Sequence, residues 1–143
     1  NIYGPYDRFD DQVSHVIPAL IKRALCKENP FVVWGDGRTV RDFVYVEDLV
    51  EGVLMVLNEN CTADPINISN GTPVSIKDLV DVVLDICDHH VSPQYDPDMP
   101  SAVPYRVLDN TKADALLGRI EKTSLREGIR RTVEWYTSDL SRE

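Results

Sequence analysis

The sequence predicts an α/β fold in which amphipathic helices alternate with short strands. Three observations support it: five segments carry apolar residues at helical spacing, short runs rich in Val and Ile lie between them, and Gly or Pro turns separate the two. The mixture leaves α+β as the alternative class. The 143 residues suit one compact domain, 1–143, without internal repeats or a clear linker. No apolar run reaches the roughly 18–20 residues needed to cross a bilayer.

The first half of the chain is predicted to contain two helices and two strands. Residues 1–14 are predicted to be a loop, because a Tyr-Gly-Pro turn is followed by polar residues. A helix begins at about Ile17, with Pro18 in its first turn, where a missing N–H group costs nothing. Strands are predicted at 31–34 and 41–46, on either side of a glycine turn. A second helix, 47–58, should bury the stripe formed by Leu49, Val50, Val53, Leu54 and Leu57.

The second half is predicted to hold three helices and two short strands. Strands are expected at 65–68 and 91–95. Ser75 with Asp78, and Ser124 with Glu127, have capping-box spacing, so a helix should begin just after each serine. A shorter helix is expected to begin near Asp109 and end at Gly118.

Charge and cysteine content limit the classes of function. The formal net charge is −9, which argues against general binding to nucleic acid or a membrane surface, since both need a basic face. Cys26, Cys61 and Cys87 are odd in number and lack C-x-x-C spacing, so we expect reduced thiols in a cytoplasmic protein. Cys26 and Cys87 fall on apolar helix faces and are predicted to fill the core. The pair His89-His90 has no partners at metal-ligand spacing, so no metal site is expected.

Several catalytic motifs are absent from the sequence. Gly35-x-Gly37 has Val40 where a third glycine would complete a dinucleotide fingerprint, and it lies between two strands instead of opening a helix. No tyrosine is followed by lysine four residues later, and no G-x-S-x-G occurs. The chain therefore either binds a ligand without catalysis or works with a catalytic half that lies elsewhere.

The segment 34–42 carries the strongest chemical signal. It places Trp34, Arg38 and Arg41 around one sharp glycine turn. A guanidinium group matches phosphate oxygens bidentately, and an indole face stacks on a base or a sugar. Together these residue types suit a nucleotide diphosphate. The structural alternative is a surface hairpin whose arginines pair with Asp36 and Asp42.

Three further residues could contact a ligand, and for each an ordinary surface position is the structural alternative. His15 lies at a helix start and could exchange protons with a ligand, or be a surface histidine. Arg23 lies two helical turns beyond it, about 12 Å along the axis, so a sugar and a phosphate could occupy the two positions. Arg106, after a Pro-rich loop, is a third basic contact or a surface charge.

Several motifs, taken together and in order, resemble the extended short-chain dehydrogenases that act on nucleotide sugars, the NAD-dependent epimerase/dehydratase family. They cover nearly the whole chain, although each alone would be weak. The matching segments are Asn1-Ile2-Tyr3-Gly4-Pro5, Val33-Trp34-Gly35-Asp36-Gly37, Arg41-Asp42-Phe43-Val44-Tyr45-Val46-Glu47-Asp48-Leu49, Asn67-Ile68-Ser69-Asn70-Gly71, Asp109-x-x-Lys112, Leu116-Leu117-Gly118 and Ser124-Leu125-x-Glu127-Gly128 with Trp135-Tyr136.

Within that family, Ser14-His15-Val16-Ile17-Pro18 resembles one branch, the NADP-dependent 3,5-epimerase/4-reductases of GDP-4-keto-6-deoxymannose. The resemblance implies that the chain is a carboxy-terminal, substrate-binding part, with the Rossmann half that binds NADP or NAD largely missing. It implies an inactive fragment alone, and a nucleotide-diphosphate sugar as ligand. Complete enzymes of the family are commonly homodimers.

The resemblance also assigns roles to residues. It implies that His15 is a general acid/base beside the nicotinamide. Substrate-binding positions match Arg23, Trp34 and Arg41, and less securely Arg106. Asn1 and Ile2, with His15, match positions that border the cofactor.

Two departures from the family pattern leave the sugar and base open. Arg119-Ile120 replaces the usual tryptophan after Gly118, and the loop 99–104 lacks its usual glycine. Alternatives are therefore another nucleotide-sugar epimerase or dehydratase of the superfamily, or a non-catalytic nucleotide-binding module.

Overall fold

The computed structural model describes residues 1–10, 13–58, 64–99, 103–118 and 122–140. Within these ranges it is a mixed α/β structure, as the sequence predicted. The elements in chain order are β1 (Ile2–Tyr3), α1 (Val16–Leu25), β2 (Val32–Trp34), β3 (Val40–Arg41), β4 (Val44–Tyr45), α2 (Val46–Asn58), β5 (Val74–Ser75), α3 (Ile76–Ile86), β6 (Gln94–Asp96), β7 (Tyr105–Arg106), α4 (Thr111–Leu117) and α5 (Leu125–Leu140).

The described strands form three small sheets. β1 pairs with β4 in parallel, and β2 pairs with β6 in parallel. β3 lies at the centre of the third sheet, with β5 antiparallel on one side and β7 parallel on the other. Since β2 and β3 belong to different sheets, the segment 34–42 is not a hairpin, although the exposed Arg38 does lie 3.9 Å from the Asp36 carboxylate as that alternative predicted.

The main core lies where α3 packs between α1 and α5. Ile21, Leu79 and Ile129, one from each helix, are completely buried there. Phe31 and Tyr45 close the core beside the strands and are also almost fully buried. Burial of such side chains contributes about 1.5–3 kcal/mol each, so this layer stabilises the elements that carry the site.

Local sequence signals placed the helix starts well. The Ser75 hydroxyl accepts a hydrogen bond from the Asp78 N–H at 3.1 Å and donates to the Asp78 carboxylate at 2.6 Å, which confirms Ser75 as the N-cap of α3. The Ser124 hydroxyl accepts from the Glu127 N–H at 3.3 Å at the start of α5. Gly118, at φ 76°, ends α4 as predicted.

Some strand predictions were wrong because pairing is decided by distant residues. The segment 1–14 includes strand β1, since Ile2 and Tyr3 pair with Val44 and Tyr45 far along the chain. The predicted strand 41–46 divides into β3 and β4, and its last residue already belongs to α2. Residues 65–68 form no strand in the structure.

The predicted burial of the α2 stripe was also wrong. Val50, Val53, Leu54 and Leu57 are between 45 and 73% exposed, and α2 instead buries Asp48 and Gly52. The Asp48 carboxylate accepts hydrogen bonds from the N–H and hydroxyl of Thr123, at 2.8 and 2.7 Å. This polar side therefore holds α2 against the start of α5 and leaves its apolar side outward.

The cysteine predictions were half correct. Cys87 is buried, and burial raises the pKa of its thiol to about 11, which keeps it protonated at neutral pH. Cys26 was expected in the core but is exposed, because α1 ends at Leu25 and Cys26 is its C-cap. Cys61 lies outside the described residues.

Candidate functional site

A cavity of about 700 Å³ opens between α1, the end of β2, β3 and the start of α3. Arg23, Trp34 and Arg41, which the sequence singled out from two separate segments, all line it. Asn1 and Ser14 line it too. The cavity is large enough for a small organic ligand, and its cationic lining favours an anion.

Arg41 is the most buried cation of the cavity. Its relative exposure is 8%, and burial, with a smaller contribution from the charge of Arg106, lowers the pKa of its guanidinium. Its Nη1 donates to the Val40 carbonyl oxygen at 2.6 Å. Among the described residues, no carboxylate forms an ion pair with Arg41. A buried cation without an anionic partner is costly, so the site is prepared for a negative ligand.

Arg106 lies beside Arg41 on the neighbouring strand. β3 and β7 run in parallel, and their register pairs the Cα of Arg41 with that of Arg106. Like charges at directly opposite positions of a sheet destabilise it. The structure therefore places two positive charges on adjacent strands of a chain whose net charge is −9, although Arg106 is exposed and is not among the residues that line the cavity.

Arg23 is fixed by three neighbours. Its Nε and Nη2 donate to the two carboxylate oxygens of Glu28 at 2.8 and 2.7 Å, and Nη2 also donates to the Val32 carbonyl oxygen at 2.7 Å. Its Cζ lies 4.6 Å from the centre of the Phe31 ring, in cation–π contact. The orientation of this arginine is thus set before any ligand arrives.

Trp34 offers an aromatic surface at the edge of the cavity. It ends β2, is 63% exposed, and is followed by Gly35 at φ 82°. The Gly35 N–H donates to the Asp96 carbonyl oxygen at 2.8 Å, so the turn is tied to β6. An indole held on a fixed backbone in this way can stack on a planar or apolar ligand face.

His15 is the N-cap residue of α1 and is exposed. Its side chain makes no capping hydrogen bond, while its carbonyl oxygen accepts from the Ala19 N–H at 3.1 Å. Its sequence neighbours Ser14 and Val16 line the cavity. The structure thus places His15 beside the cavity and does not place its ring among the lining groups.

Asp42 is a buried carboxylate that supports the strands of the site. Its Oδ2 accepts hydrogen bonds from the Ser69 hydroxyl at 2.7 Å, the Gly71 N–H at 3.1 Å and the Leu108 N–H at 3.3 Å. Its other oxygen has no partner among the described residues. The backbone oxygen of Asp42 accepts from the side-chain amide of Asn1 at 2.9 Å. Asp42 therefore holds together the segments that follow β3, β7 and α2.

Sequence reasoning missed Glu28, Thr39 and Ile76, which also line the cavity. Glu28 matters most for the site, because its carboxylate accepts two hydrogen bonds from the Arg23 guanidinium. The hydrogen bonds to Arg23 lower the pKa of the Glu28 carboxyl, so it is ionised at neutral pH. A carboxylate five residues after an arginine was a detectable signal, but it needed knowledge of how the chain returns from α1 to β2.

The described residues do not form a dinucleotide-binding unit. Their parallel sheets have two paired strands each, and no glycine-rich turn joins a strand to a helix in the cavity. Asn1 lines the cavity, whereas Ile2 is 52% exposed and is not among the lining residues. The residues present therefore suit the border of a cofactor site at most. No described group of three or more His, Cys, Asp or Glu residues could hold a metal ion.

Fold and cavity define an α/β unit that presents arginines and a tryptophan to an anionic ligand. Residues 1–69 match the model of the NAD dependent epimerase/dehydratase family. The chain resembles this family over nearly its whole length, and its fold is a partial piece of the extended short-chain dehydrogenase fold.

Relatives and solved structures agree with that assignment. GDP-L-fucose synthase 1 of Arabidopsis thaliana is 33% identical over 144 residues, covering 98% of this chain and 44% of the relative. UDP-glucose 4-epimerase of Thermotoga maritima, solved with UDP-glucose, is 32% identical with a TM-score of 0.88, covering 98% of this chain and 44% of that one.

A GDP-L-fucose synthetase of Naegleria fowleri, solved with NADP, superimposes with a TM-score of 0.91 over 99% of this chain and 46% of that one. At 23% identity this likeness shows the fold alone. The chain therefore spans less than half the length of the relatives it matches. Within the part of the chain that the structure describes, no helix has the length and apolar character needed to span a membrane.

Proposed function

We propose that residues 1–143 are the carboxy-terminal, substrate-binding domain of an NAD(P)-dependent nucleotide-sugar epimerase/reductase. The best-supported activity is that of a GDP-L-fucose synthase, which epimerises GDP-4-keto-6-deoxymannose at carbons 3 and 5 and reduces it at carbon 4. Support comes from relatives of that name at 31–33% identity over nearly the whole chain. Catalysis by the complete enzyme would need a further half that holds the cofactor.

The observation that carries this proposal is the pairing of Arg41 with Arg106. Two guanidinium groups at matched positions on adjacent strands form a charge arrangement that a bridging anion with two phosphate groups relieves. Arg41 is buried and lacks a carboxylate partner among the described residues, so ligand oxygens would supply its missing hydrogen-bond acceptors. A diphosphate would bring one phosphate group to each of the two cations, with Arg106 reaching it from outside the residues that line the cavity.

Further residues that line the cavity, together with His15 beside it, extend this arrangement to the rest of a nucleotide sugar. Arg23, held by Glu28, adds a third cation on the α1 side, and Trp34 packs against the base or the sugar. His15 would remove and return protons at the carbons next to the 4-keto group, where the carbonyl acidifies C–H bonds. Hydride chemistry belongs to the part of the enzyme that carries the nicotinamide, and no step of it falls on the described residues.

Calorimetry on the chain tests the binding claim. GDP should bind the unsubstituted chain, guanosine should bind much more weakly, and Arg41→Met should weaken GDP binding by roughly ten- to 150-fold, the equivalent of about 1.5–3 kcal/mol for a charged hydrogen bond. Arg126→Met is the matched control, because Arg126 is exposed on α5 and pairs with Asp85. Equal losses in both variants, or equal binding of GDP and guanosine, would count against a diphosphate site.

The catalytic claim needs a complete enzyme. His15→Ala should abolish exchange of the substrate's C3 and C5 protons with solvent while leaving reduction of a ready-epimerised ketone in place. His90→Ala is the control, since His90 is exposed and pairs with Asp88. Proton exchange at an unchanged rate in His15→Ala would remove His15 from the mechanism.

A second candidate is another nucleotide-sugar epimerase or dehydratase of the same family. The Thermotoga maritima likeness favours it, because that protein is a UDP-glucose 4-epimerase at similar identity. Competition among GDP-, UDP- and dTDP-sugars for the cavity separates these two functions. Binding of all three with similar affinity and no turnover in a completed enzyme would favour the third possibility, a non-catalytic nucleotide-binding module.

A further inference from the structure

His89 is a buried histidine that the proposed function does not use. Only 8% of the residue is exposed, and its ring meets the Phe31 ring edge-on, with ring centres 5.9 Å apart. Its Nε2 lies 2.8 Å from the Glu28 carbonyl oxygen. A carbonyl oxygen only accepts hydrogen bonds, so Nε2 carries the proton and donates. His89 thus contacts both Phe31 and Glu28, the two residues whose side chains flank Arg23.

The end of α3 fixes the position of His89. The Asp88 N–H donates to the Asp85 carbonyl oxygen at 3.1 Å, and the His89 N–H donates to the Leu84 carbonyl oxygen at 2.9 Å. Asp88, between the helix and His89, has φ 49°, in the left-handed region. These two hydrogen bonds and this backbone turn make a Schellman motif, so the backbone of His89 is tied to the last turn of α3.

α1 ends with the same motif, and there it involves Glu28. The Lys27 N–H donates to the Ala24 carbonyl oxygen at 3.1 Å, and Lys27 has φ 55°. The Glu28 N–H donates to the Arg23 carbonyl oxygen at 3.1 Å. Glu28 therefore binds Arg23 twice, by its backbone and by its carboxylate. A shift of Glu28 would move the group that orients the Arg23 guanidinium.

The ends of α1 and α3 are joined by side chains in both directions. From the α1 end, Lys27 Nζ donates to the carbonyl oxygens of Cys87 and Asp88, at 2.8 and 2.5 Å. The helix dipole favours a cation at this end of α3. From the α3 end, the His89 ring donates back. Residues 26–31, here called the α1–β2 turn, are thus attached to α3 at two points.

We propose that His89 is a positioning residue, which keeps the Arg23 guanidinium oriented beside the 700 Å³ cavity by holding the α1–β2 turn against the end of α3. The inference rests on the proposed function, which makes Arg23 a ligand contact. A guanidinium that is oriented before binding spares the ligand the loss of side-chain freedom that ordering it would cost. The competing role for His89 is only to fill space between the two helices.

NMR relaxation of the Arg23 Nε–H group separates these two roles without any ligand. Its resonance is assigned by its loss in Arg23→Lys. In the unsubstituted chain its order parameter should be about 0.8 or higher, and in His89→Leu it should fall below about 0.6, the range of mobile groups. His89→Gln keeps an N–H donor, so the order parameter should recover. His90→Leu is the matched control, because His90 is exposed and pairs with Asp88.

GDP affinity should follow the mobility of Arg23. Calorimetry should show the dissociation constant for GDP rising roughly threefold to tenfold in His89→Leu, the size expected when a ligand must order a mobile side chain. His89→Gln and His90→Leu should bind GDP as the unsubstituted chain does. A loss of folding stability in His89→Leu with an unchanged order parameter would overturn the inference, since His89 would then only fill space. Equal mobility of Arg23 in His89→Leu and His89→Gln would overturn it too, because the hydrogen bond would not be what holds the turn.

Lys27→Met decides if His89→Leu does not unfold cooperatively. Lys27 is exposed, so its replacement should leave the core intact while it removes the other attachment of the α1–β2 turn. The order parameter of the Arg23 Nε–H group should fall in this variant as well. An unchanged value would overturn the inference.

The proposed function fails by a different measurement. If the unsubstituted chain does not bind GDP, the substrate assignment is wrong, while the order parameters measured without ligand still decide the role of His89. If GDP binds and the order parameter of Arg23 is the same in every variant, only the positioning role of His89 is wrong.

Discussion

The guanidinium of Arg23 and the carboxylate of Glu28 form a two-pronged ion pair, with Nε–Oε2 and Nη2–Oε1 distances of 2.8 and 2.7 Å. Arg23 also donates to the Val32 carbonyl oxygen, so it joins α1 to β2. These contacts use Nε and Nη2 and leave Nη1 without a hydrogen-bond partner among the described residues. A ligand phosphate could reach that nitrogen without displacing Glu28.

Glu28→Gln should lower the free energy of unfolding at pH 7 by about 0.5 kcal/mol, the size typical of a partly exposed ion pair. The Arg23 hydrogen bonds lower the pKa of Glu28 below its ordinary 4.5. The pair therefore stabilises the fold above that pH, and its contribution is lost as pH falls through the folded-state value. Urea unfolding at pH 7 and pH 3 should show the variant's deficit shrinking in acid. Glu51→Gln is the control, and a Glu28→Gln deficit of the same size at both pH values would contradict the assignment.

Trp34 should report ligand binding by its fluorescence. The chain has two tryptophans, of which Trp34 lines the cavity and Trp135 packs on α5 against Tyr6, with ring centres 5.0 Å apart. Stacking of a guanine base on Trp34 should quench its emission as GDP is added. Trp135→Phe should keep the quenching and Trp34→Phe should lose it. Quenching that survives in Trp34→Phe would place the base elsewhere.

Gly128 and Tyr3 make a close approach that tests the packing of α5 on β1. A Cβ at Gly128 would lie 2.8 Å from the Tyr3 Cζ and closer still to its hydroxyl oxygen. Gly128→Ala should therefore destabilise the chain by about 1–3 kcal/mol through overpacking, although alanine is the better helix former by about 1 kcal/mol. In a Tyr3→Phe background the cost should shrink. Chemical unfolding of the four proteins measures this coupling, and an undiminished cost in that background would refute the contact.

Replacing the Asp42 carboxylate by an amide should leave the fold stable, whereas truncating the side chain should not. One oxygen accepts three hydrogen bonds and the other has no partner among the described residues, so the amide of Asp42→Asn can occupy the second position. We expect Asp42→Asn to cost under about 1 kcal/mol. Asp42→Ala should lower the free energy of unfolding by about 3 kcal/mol, because it leaves buried hydrogen-bond donors without an acceptor. Similar losses in thermal unfolding for both variants would mean that the negative charge itself is required.

The sequence predicted elements whose signals are local. The capping serines placed the starts of α3 and α5, and Gly118 placed the end of α4. β1, β5 and β7 were missed, since each is two residues long and exists only through pairing with distant strands. The exposed side of α2 was predicted to be buried because periodicity shows that a helix face is apolar and not what covers it.

The candidate site, too, was predictable where its signals are local and not where they depend on distant residues. Arg23, Trp34 and Arg41 were recognisable by residue type and motif, and the structure brings all three to one cavity. The matched register of Arg41 and Arg106 was not predictable, because it depends on parallel pairing between strands that lie far apart in the sequence. The roles of these residues, and that of His15, stay predictions until ligand binding is measured.

The effect of GDP on two arginine substitutions tests the central claim most directly. Without ligand, Arg41→Met and Arg106→Met should each leave the free energy of unfolding unchanged or raise it by about 1 kcal/mol, because they relieve repulsion between paired cations. At a GDP concentration 100 times the dissociation constant, the unsubstituted chain should gain about 2.7 kcal/mol, and both variants should gain far less and become the less stable proteins. If GDP stabilises all three proteins equally, the paired arginines do not bind a diphosphate.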